Sequence, residues 1–568
     1  MLAAVSNEGT DVERIQDDVV VVGGGIAGIV ASIELLAAGR RVTLLDRDTR
    51  ENLGGLAKES FGGIFAVGSA EQRRAGIRDT PAQAWQDWRS FAEFREDDAW
   101  PQRWAEAFVH DCHDEVYRWL KARGIRFLPL PGWVERGLAR PGNSAPRFHV
   151  IWGTGRHLME RLVAELLDHP RRAALTLRFG HRVEGLIKEG GRITGCHGRR
   201  EVGGSSDGGS GGDGAAFEAR GDALIVASGG INGDLERVRR HWHADWGHAP
   251  ATLLNGTHRF ADGRLHDAVA AAGGCVTHLD RMWNYAAGVH HWRPRMPQHG
   301  LSLVPPRSAL WLDWRGERFQ PPLVSGFDTR ELVTRICAAQ PPQNPQRPYS
   351  WQLLNRRIAL KELAISGAEF NHAIRERRIF AFMRELAFGN RRLVDELIRE
   401  CPDVVVADTL PALVAGMNAL QGDDAVSLDA VSDAVRRYDA EAGRGEPRQA
   451  GDYADEQLRR IAESRRYRAE RQRTCRCQKI VDDGALPLIA IREFIVSRKT
   501  LGGIQTDLDC RVLDAAGRPI AGLYAVGEAA GFGGGGMHGL RALEGSFLGG
   551  CIYSGRRVAR ALAEGAGT

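Results

Sequence analysis

Residues 19–22 are four valines in a row. An apolar run this short, bounded by turn residues, predicts a strand buried on both faces. It runs directly into Gly23-Gly24-Gly25, and an amphipathic stretch from Ile29 to Ala38 follows, ended by Gly39. The pattern predicts strand, glycine turn and helix in succession. A second apolar run, residues 41–46, closes on Asp46. Residues 175–198 alternate like strand, turn and strand. The run 223–227 predicts another buried strand, meeting the turn Ser228-Gly229-Gly230, and Leu523-Tyr-Ala-Val526 predicts a third, ending in Gly527-Glu528. A glycine loop, residues 531–536, then leads towards a helix expected from about Phe547. Helical pattern fills the region up to about Arg123, and its tryptophans (Trp85, Trp88, Trp100, Trp104 and Trp119) are expected in a core.

From about Ala286 the character changes. Trp, Pro, Arg and His become frequent, and helical stretches continue to about Thr474. This predicts a mixed domain inserted into the first one. The expected division is a flexible tail over 1–16, a nucleotide-binding domain over 17–285 and 475–568, and an inserted capping domain over 286–474. Residues 203–214, GGSSDGGSGGDG, offer nothing to bury and are expected to form a mobile surface loop.

The chain has 568 residues, long enough for roughly three or four domain-sized units. Hydrophobic content of 43% and charged content of 26% are those of a globular protein in water. Basic and acidic residues nearly balance, 76 against 72, so nothing points to nucleic acid, and the Arg-rich run 459–476 reads as a solvated helix face. No run approaches the ~18 apolar residues that would span a bilayer. The first residues lack the basic and apolar regions of a secretory signal. The 9 cysteines are scattered, with Cys475 and Cys477 the only close pair, so neither a metal nor a haem site is expected, and free thiols suit a reducing cytoplasm.

The chemistry lies in the glycine turns. In Gly23-x-Gly25-x-x-Gly28 the first glycine makes the turn, the second lets main chain approach a pyrophosphate, and the third lets helix pack on strand. The helix N-terminus presents its positive dipole end to the anion. Asp46 stands about 20 residues on, where the adenosine ribose is expected. Glu528 follows a strand and a glycine, a placement that sets a carboxylate on a polyol hydroxyl. The helix beginning near Ser546 can direct N–H groups at a ring carbonyl. Together these suit a flavin better than a nicotinamide.

At this point the residues resemble a known group. The segments Gly23-Gly-Gly-Ile-Ala-Gly28, Ala227-Ser-Gly-Gly230, Gly256-Thr257 through Asp262-Gly263, Thr500-Leu-Gly-Gly503 and Gly522-Leu-Tyr-Ala-Val-Gly-Glu528 look like those of the fumarate reductase and 3-ketosteroid Δ1-dehydrogenase flavoproteins. Residues 498–509 and 533–546 resemble the bacterial 3-ketosteroid-dehydrogenase-like proteins most closely. The resemblance implies an α/β fold, with a Rossmann-like FAD-binding domain and an inserted α+β substrate-capping domain. It places Gly23, Gly25, Ile26, Ala27 and Gly28 on the pyrophosphate and Asp46 with Arg47 at the adenosine ribose. Gly54, Gly55, Ser60, Gly62 and Gly63 would lie along the flavin, and Val183 at adenine. Ala227, Ser228, Gly229, Gly527 and Glu528 would line the cofactor, with Ser546 and Leu548 offering N–H groups. The 54–63 loop holds no histidine, so FAD is expected to be non-covalent.

For the substrate the candidates are His538, Arg541, Lys499, Tyr285 and Tyr349. Arg330 is expected to be a solvated arginine. The resemblance implies desaturation of a carbon–carbon bond beside a carbonyl, with a ketosteroid-like substrate and a separate electron acceptor. The alternatives are a fumarate or enoate reductase running the reverse reaction, for which Arg541 would clamp a carboxylate, and a non-redox FAD-binding module.

Overall fold

In the computed structural model the valine run is the strand Val19–Val22, buried at every position. Residues 12–202, 212–340, 347, 349–445 and 450–564 are described. A strand with no polar face needs cover on both sides, and here it lies in the interior of a six-stranded sheet. Its parallel neighbours are Val42–Leu45 and Ala223–Val226. Leu175–Arg178 continues the sheet in parallel beyond Val42–Leu45. On the other side Pro519–Ala525 pairs in parallel with Ala223–Val226, and Arg511–Leu513 closes that edge antiparallel. The sheet is thus assembled from both ends of the chain. Its successive strands diverge to opposite sides between Val19–Val22 and Ala223–Val226, and at such a point a crevice opens beyond the carboxyl ends. Helix Ile26–Ala37 follows the glycine turn and packs along helix Ser546–Glu564.

A four-stranded sheet lies beside the first, in the order Glu13–Gln16, Gly212–Arg220, Arg192–Val202, His181–Glu189. The tail expected over 1–16 is corrected here at its end. Glu13–Gln16 pairs in parallel with residues 217–220, and Ile15 is buried, so main-chain pairing orders a polar segment. Residues 1–11 and 203–211 lie outside the described residues. Of the glycine-rich loop, residues 212–214 belong to the strand Gly212–Arg220.

The largest sheet has eight strands built on Leu488–Thr500. This strand pairs with Tyr349–Asn355 and Val404–Ala407 along its first half. Along its second half it pairs with Met282–His290 and Leu254–Asn255. The boundaries expected at 285/286 and 474/475 do not divide this sheet. Met282–His290 runs through the first, and Leu488–Thr500 comes after the second. The change of composition near Ala286 is real, but sheet membership is decided by pairing across about 200 residues of chain, which composition does not report. The chain is a mixed α/β protein with several sheets. Among the described residues three hydrophobic clusters lie around the parallel sheet, around the eight-stranded sheet, and between the parallel and four-stranded sheets. Trp88, Trp104 and Trp119 are buried in the first of these, with Trp85 packed against it. No helix among the described residues is long and apolar enough to cross a membrane.

Candidate functional site

Beyond the carboxyl ends of the parallel strands lies an elongated cleft with about 1790 Å³ of atom-free space, its open mouth included. The glycine turn forms one wall. Gly23 has φ +116°, and a Cβ there would stand 2.3 Å from the Ala227 carbonyl oxygen, so the two strand ends can approach only through a glycine. Gly25 differs. Its backbone is extended (φ −75°, ψ −178°), and a Cβ built on it would meet nothing within 4 Å. It faces the cleft, and helix Ile26–Ala37 begins immediately after it without a side-chain cap. The first N–H groups of that helix are therefore free to meet an anion.

Ile26 and Ala27 line the cleft beside Gly23 and Gly25. Asp46 and Arg47 line it at the next strand end. Asp46 accepts the Gly24 N–H at 2.5 Å and the Asp48 N–H at 2.7 Å, which ties the acid to the glycine turn, and burial pushes its carboxyl up. Arg47 lies over the Phe260 ring at 4.3 Å and pairs with Glu201 and Asp262. Val183 reaches the cleft from the edge strand of the four-stranded sheet. Gly54 and Gly55 extend the wall of the glycine turn, the Gly54 N–H donating to the Gly24 carbonyl at 2.9 Å; Ser60, Gly62 and Gly63 also line the cleft, with Ala227, Ser228 and Gly229 at the second strand end. Gly527, Glu528 and Leu548 close the middle. The Thr500 N–H donates to Glu528 at 2.9 Å, and burial pushes this carboxyl up to about 7. An uncapped helix start, an open glycine wall and two inward-facing acids fit an adenine dinucleotide, with the helix start at the pyrophosphate.

At the far end three side chains from separate segments meet. Tyr285 lies on Met282–His290, Lys499 on Leu488–Thr500, and Glu544 on the turn before helix Ser546–Glu564. The Tyr285 hydroxyl donates to Glu544 Oε1 at 2.5 Å, and Trp283 Nε1 donates to the same oxygen at 2.8 Å. Lys499 Nζ donates to the Tyr285 hydroxyl at 3.2 Å and rests 4.1 Å from the Phe547 ring centroid. Burial, followed by the Glu544 charge, holds the Tyr285 phenol well above its ordinary range. Burial lowers Lys499 to about 8. All three line the cleft. The chain of donors runs from ammonium to phenol to carboxylate, an arrangement suited to moving a proton.

Five expected site residues do not line the cleft. His538 is fully buried, stacks on Trp88 at 5.5 Å and meets the Ser546 hydroxyl at 2.9 Å. Burial drives its imidazole down to about 3, which keeps it neutral in the core, away from the cleft. Arg541 is committed to an ion pair with Glu93 and donates to Asp328 at 3.0 Å. Tyr349 begins the strand Tyr349–Asn355 opposite Phe494, 5% exposed, inside the eight-stranded sheet. Ser546 spends its hydroxyl and its N–H on the Leu543 carbonyl, and its neighbours Phe547 and Leu548 take the wall instead. Gly28 stands behind the turn, where a Cβ would lie 2.0 Å from the Gly23 carbonyl oxygen, so it serves helix packing and does not touch the cleft. Arg330 is also not solvated. It is 4% exposed and donates to Asp245 at 2.9 Å.

Glu544 escaped the sequence reading. It stands in the Ala542-Leu-Glu-Gly-Ser546 motif, where its only signal was an acid next to a glycine just before a helix, whereas Glu528 was marked by the strand and glycine that precede it.

Comparison with known proteins follows the same lines. The family described as FAD binding domain matches residues 18–548. A KsdD-like steroid dehydrogenase of Mycobacterium tuberculosis is 44% identical, over 98% of this chain and 97% of that protein. Among solved structures, a 3-ketosteroid Δ1-dehydrogenase from Sterolibacterium denitrificans superposes with TM-score 0.66 at 16% identity, over 97% of this chain and 100% of that one. A flavocytochrome c3 fumarate reductase superposes with TM-score 0.65 at 18% identity, over 97% and 79%.

Proposed function

The chain belongs to the FAD binding domain family, and from that premise we propose an FAD-dependent dehydrogenase that desaturates a carbon–carbon bond beside the carbonyl of a steroid-like ketone. The observation that carries the reading is the Lys499–Tyr285–Glu544 chain at the end of a dinucleotide cleft. We read the parallel sheet and its helices as a Rossmann-like FAD-binding domain and the eight-stranded sheet with its helices as the inserted α+β capping domain. FAD is non-covalent in this reading, since residues 54–63 contain no histidine. A separate acceptor takes the electrons onward.

Bound FAD supplies the hydride acceptor. The residues supply the proton path. The proton on the carbon next to the substrate carbonyl passes to the Tyr285 oxygen as the phenol proton passes to Glu544. Lys499, as a cation 3.2 Å from that oxygen, steadies the charge that develops there. The substrate would lose its proton to this chain and its hydride to a bound FAD, and leave as the unsaturated ketone. Phe547 and Trp283 keep water from the site with apolar surface.

The reductase alternative has less support, because it needs arginines free to hold carboxylates and Arg541 is already paired with two acids. The test is anaerobic bleaching of the yellow protein. Saturated 3-ketosteroids are expected to reduce the flavin, while succinate does not. Bleaching by succinate alone would reverse the assignment.

The proton path also has a pH signature. The Lys499 cation is lost as pH rises through about 8, so kcat is expected to fall above that value. Lys499→Met should lower kcat and remove the limb. Stability has the opposite sign. An unfolded lysine titrates near about 10.4, so between about 8 and about 10.4 the unfolded chain holds a proton that the folded chain has released, and stability of the cofactor-free protein rises with pH in that window. Denaturant melts of wild type and Lys499→Met across it should differ in slope.

A further inference from the structure

Helix Ile379–Phe388 reverses the usual amphipathic arrangement. Ile379, Phe380, Met383 and Phe388 are 52%, 88%, 56% and 71% exposed. They are the four most exposed large hydrophobic side chains among the described residues. Phe380, Met383, Ala387 and Phe388 follow the i, i+3, i+7, i+8 spacing of one helix face, and that face points to solvent. The opposite face is held down. Phe382 meets the Trp152 ring edge-on at 5.6 Å, and Ala381 and Glu385 line a groove shared with Phe370 and Leu393.

The helix sits in a basic frame. Residues 375–392 contain six arginines (375, 377, 378, 384, 391 and 392) against two glutamates. Arg377, Arg378, Arg384, Arg391 and Arg392 are exposed. Of the glutamates, Glu376 is paired with Arg375 and Arg378, and Glu385 is half-buried. Exposed phenyl and methionine side chains inside a ring of arginines match a surface that is negative outside and apolar within. A second copy of this chain on the same face would set arginines against arginines.

The neighbouring cavities share lining residues. A second cavity, lined by Arg295, His299, Phe370 and Arg375, shares Asn52, Thr257, Ser366 and Arg498 with the dinucleotide cleft. Phe370 also lines the groove beneath the helix.

We propose that helix Ile379–Phe388 docks this protein on the surface of an anionic lipid bilayer. The inference does not depend on which substrate the cleft takes. It is tested on the flavin-loaded protein by co-sedimentation with phosphatidylglycerol vesicles and with phosphatidylcholine vesicles, at about 0.1 M salt, where charges are screened beyond about 10 Å. Binding is expected to phosphatidylglycerol, weaker to phosphatidylcholine, and reduced by added salt. The Phe380→Ser/Phe388→Ser variant should bind at least about tenfold more weakly, with unchanged circular dichroism, flavin absorbance and turnover with a water-soluble acceptor. Arg391→Gln/Arg392→Gln should lose the preference for phosphatidylglycerol. Absence of binding to phosphatidylglycerol, or equal binding to both lipids, would overturn the proposal. So would light scattering at twice the chain mass that the phenylalanine variant returns to the single-chain value, because the face would then join two copies.

Discussion

Gly25→Val is expected to give a folded protein without yellow colour. The backbone at Gly25 is extended and its Cβ position is open, so valine fits the chain without collision. The side chain instead fills the wall of the cleft in front of the uncapped start of helix Ile26–Ala37, where a pyrophosphate must come closest. Affinity for FAD should fall at least about 100-fold, about 3 kcal/mol. The ratio of flavin to protein absorbance after purification measures the loss, and titration of the cofactor-free protein with FAD quantifies it. The melting temperature of that cofactor-free protein should stay near the cofactor-free wild type. Gly23→Ala and Gly28→Ala provide the contrast. The methyl at Gly23 would run into the Ala227 carbonyl oxygen and that at Gly28 into the Gly23 carbonyl oxygen, so both should lose stability along with flavin. A Gly25→Val protein that purifies fully yellow would remove the pyrophosphate from this turn.

Tyr285→Phe and Glu544→Gln are expected to lower the rate of flavin reduction by substrate about 10²- to 10⁴-fold, the range for loss of a positioned acid or base. Tyr285→Phe removes a single oxygen. Glu544→Gln keeps the shape and removes the charge that receives the phenol proton. Because Tyr285 and Glu544 act on one proton, the double variant should be little slower than either single one. Stopped-flow reduction under anaerobic conditions measures the step, and flavin content should remain that of wild type. Additive losses in the double variant would mean that the two residues work separately.

The first half of this site was legible because its signals are local. Four valines, a glycine turn and a following helix state a strand end and its anion site within twenty residues of chain. Asp46 and Glu528 were legible for the same reason, each closing an apolar run. The second half is assembled over distance. Glu544 meets Tyr285 from 259 positions away, and no periodicity connects them. His538 and Arg541 drew attention by standing next to the glycine loop, but the turn that carries them runs under Trp88 and beside Asp328, away from the cleft. The boundaries expected near 286 and 475 do not coincide with the limits of the eight-stranded sheet, on similar grounds. A change in residue usage marks where helices and exposed aromatics begin, whereas Met282–His290 joins the eight-stranded sheet through its register with Leu488–Thr500.

That register has a mechanical meaning. Tyr285 and Lys499 both ride on the eight-stranded sheet, on paired strands in which Lys499 stands opposite Trp283 and Tyr285 opposite Val496. Glu544 belongs to the other body, since it leads into helix Ser546–Glu564, which packs on Ile26–Ala37. The phenol–carboxylate bond is thus a strut across the cleft as well as a proton wire. The wire exists only where the eight-stranded sheet and the parallel-sheet body stand this close, and any separation at this seam would break it with no change inside either body.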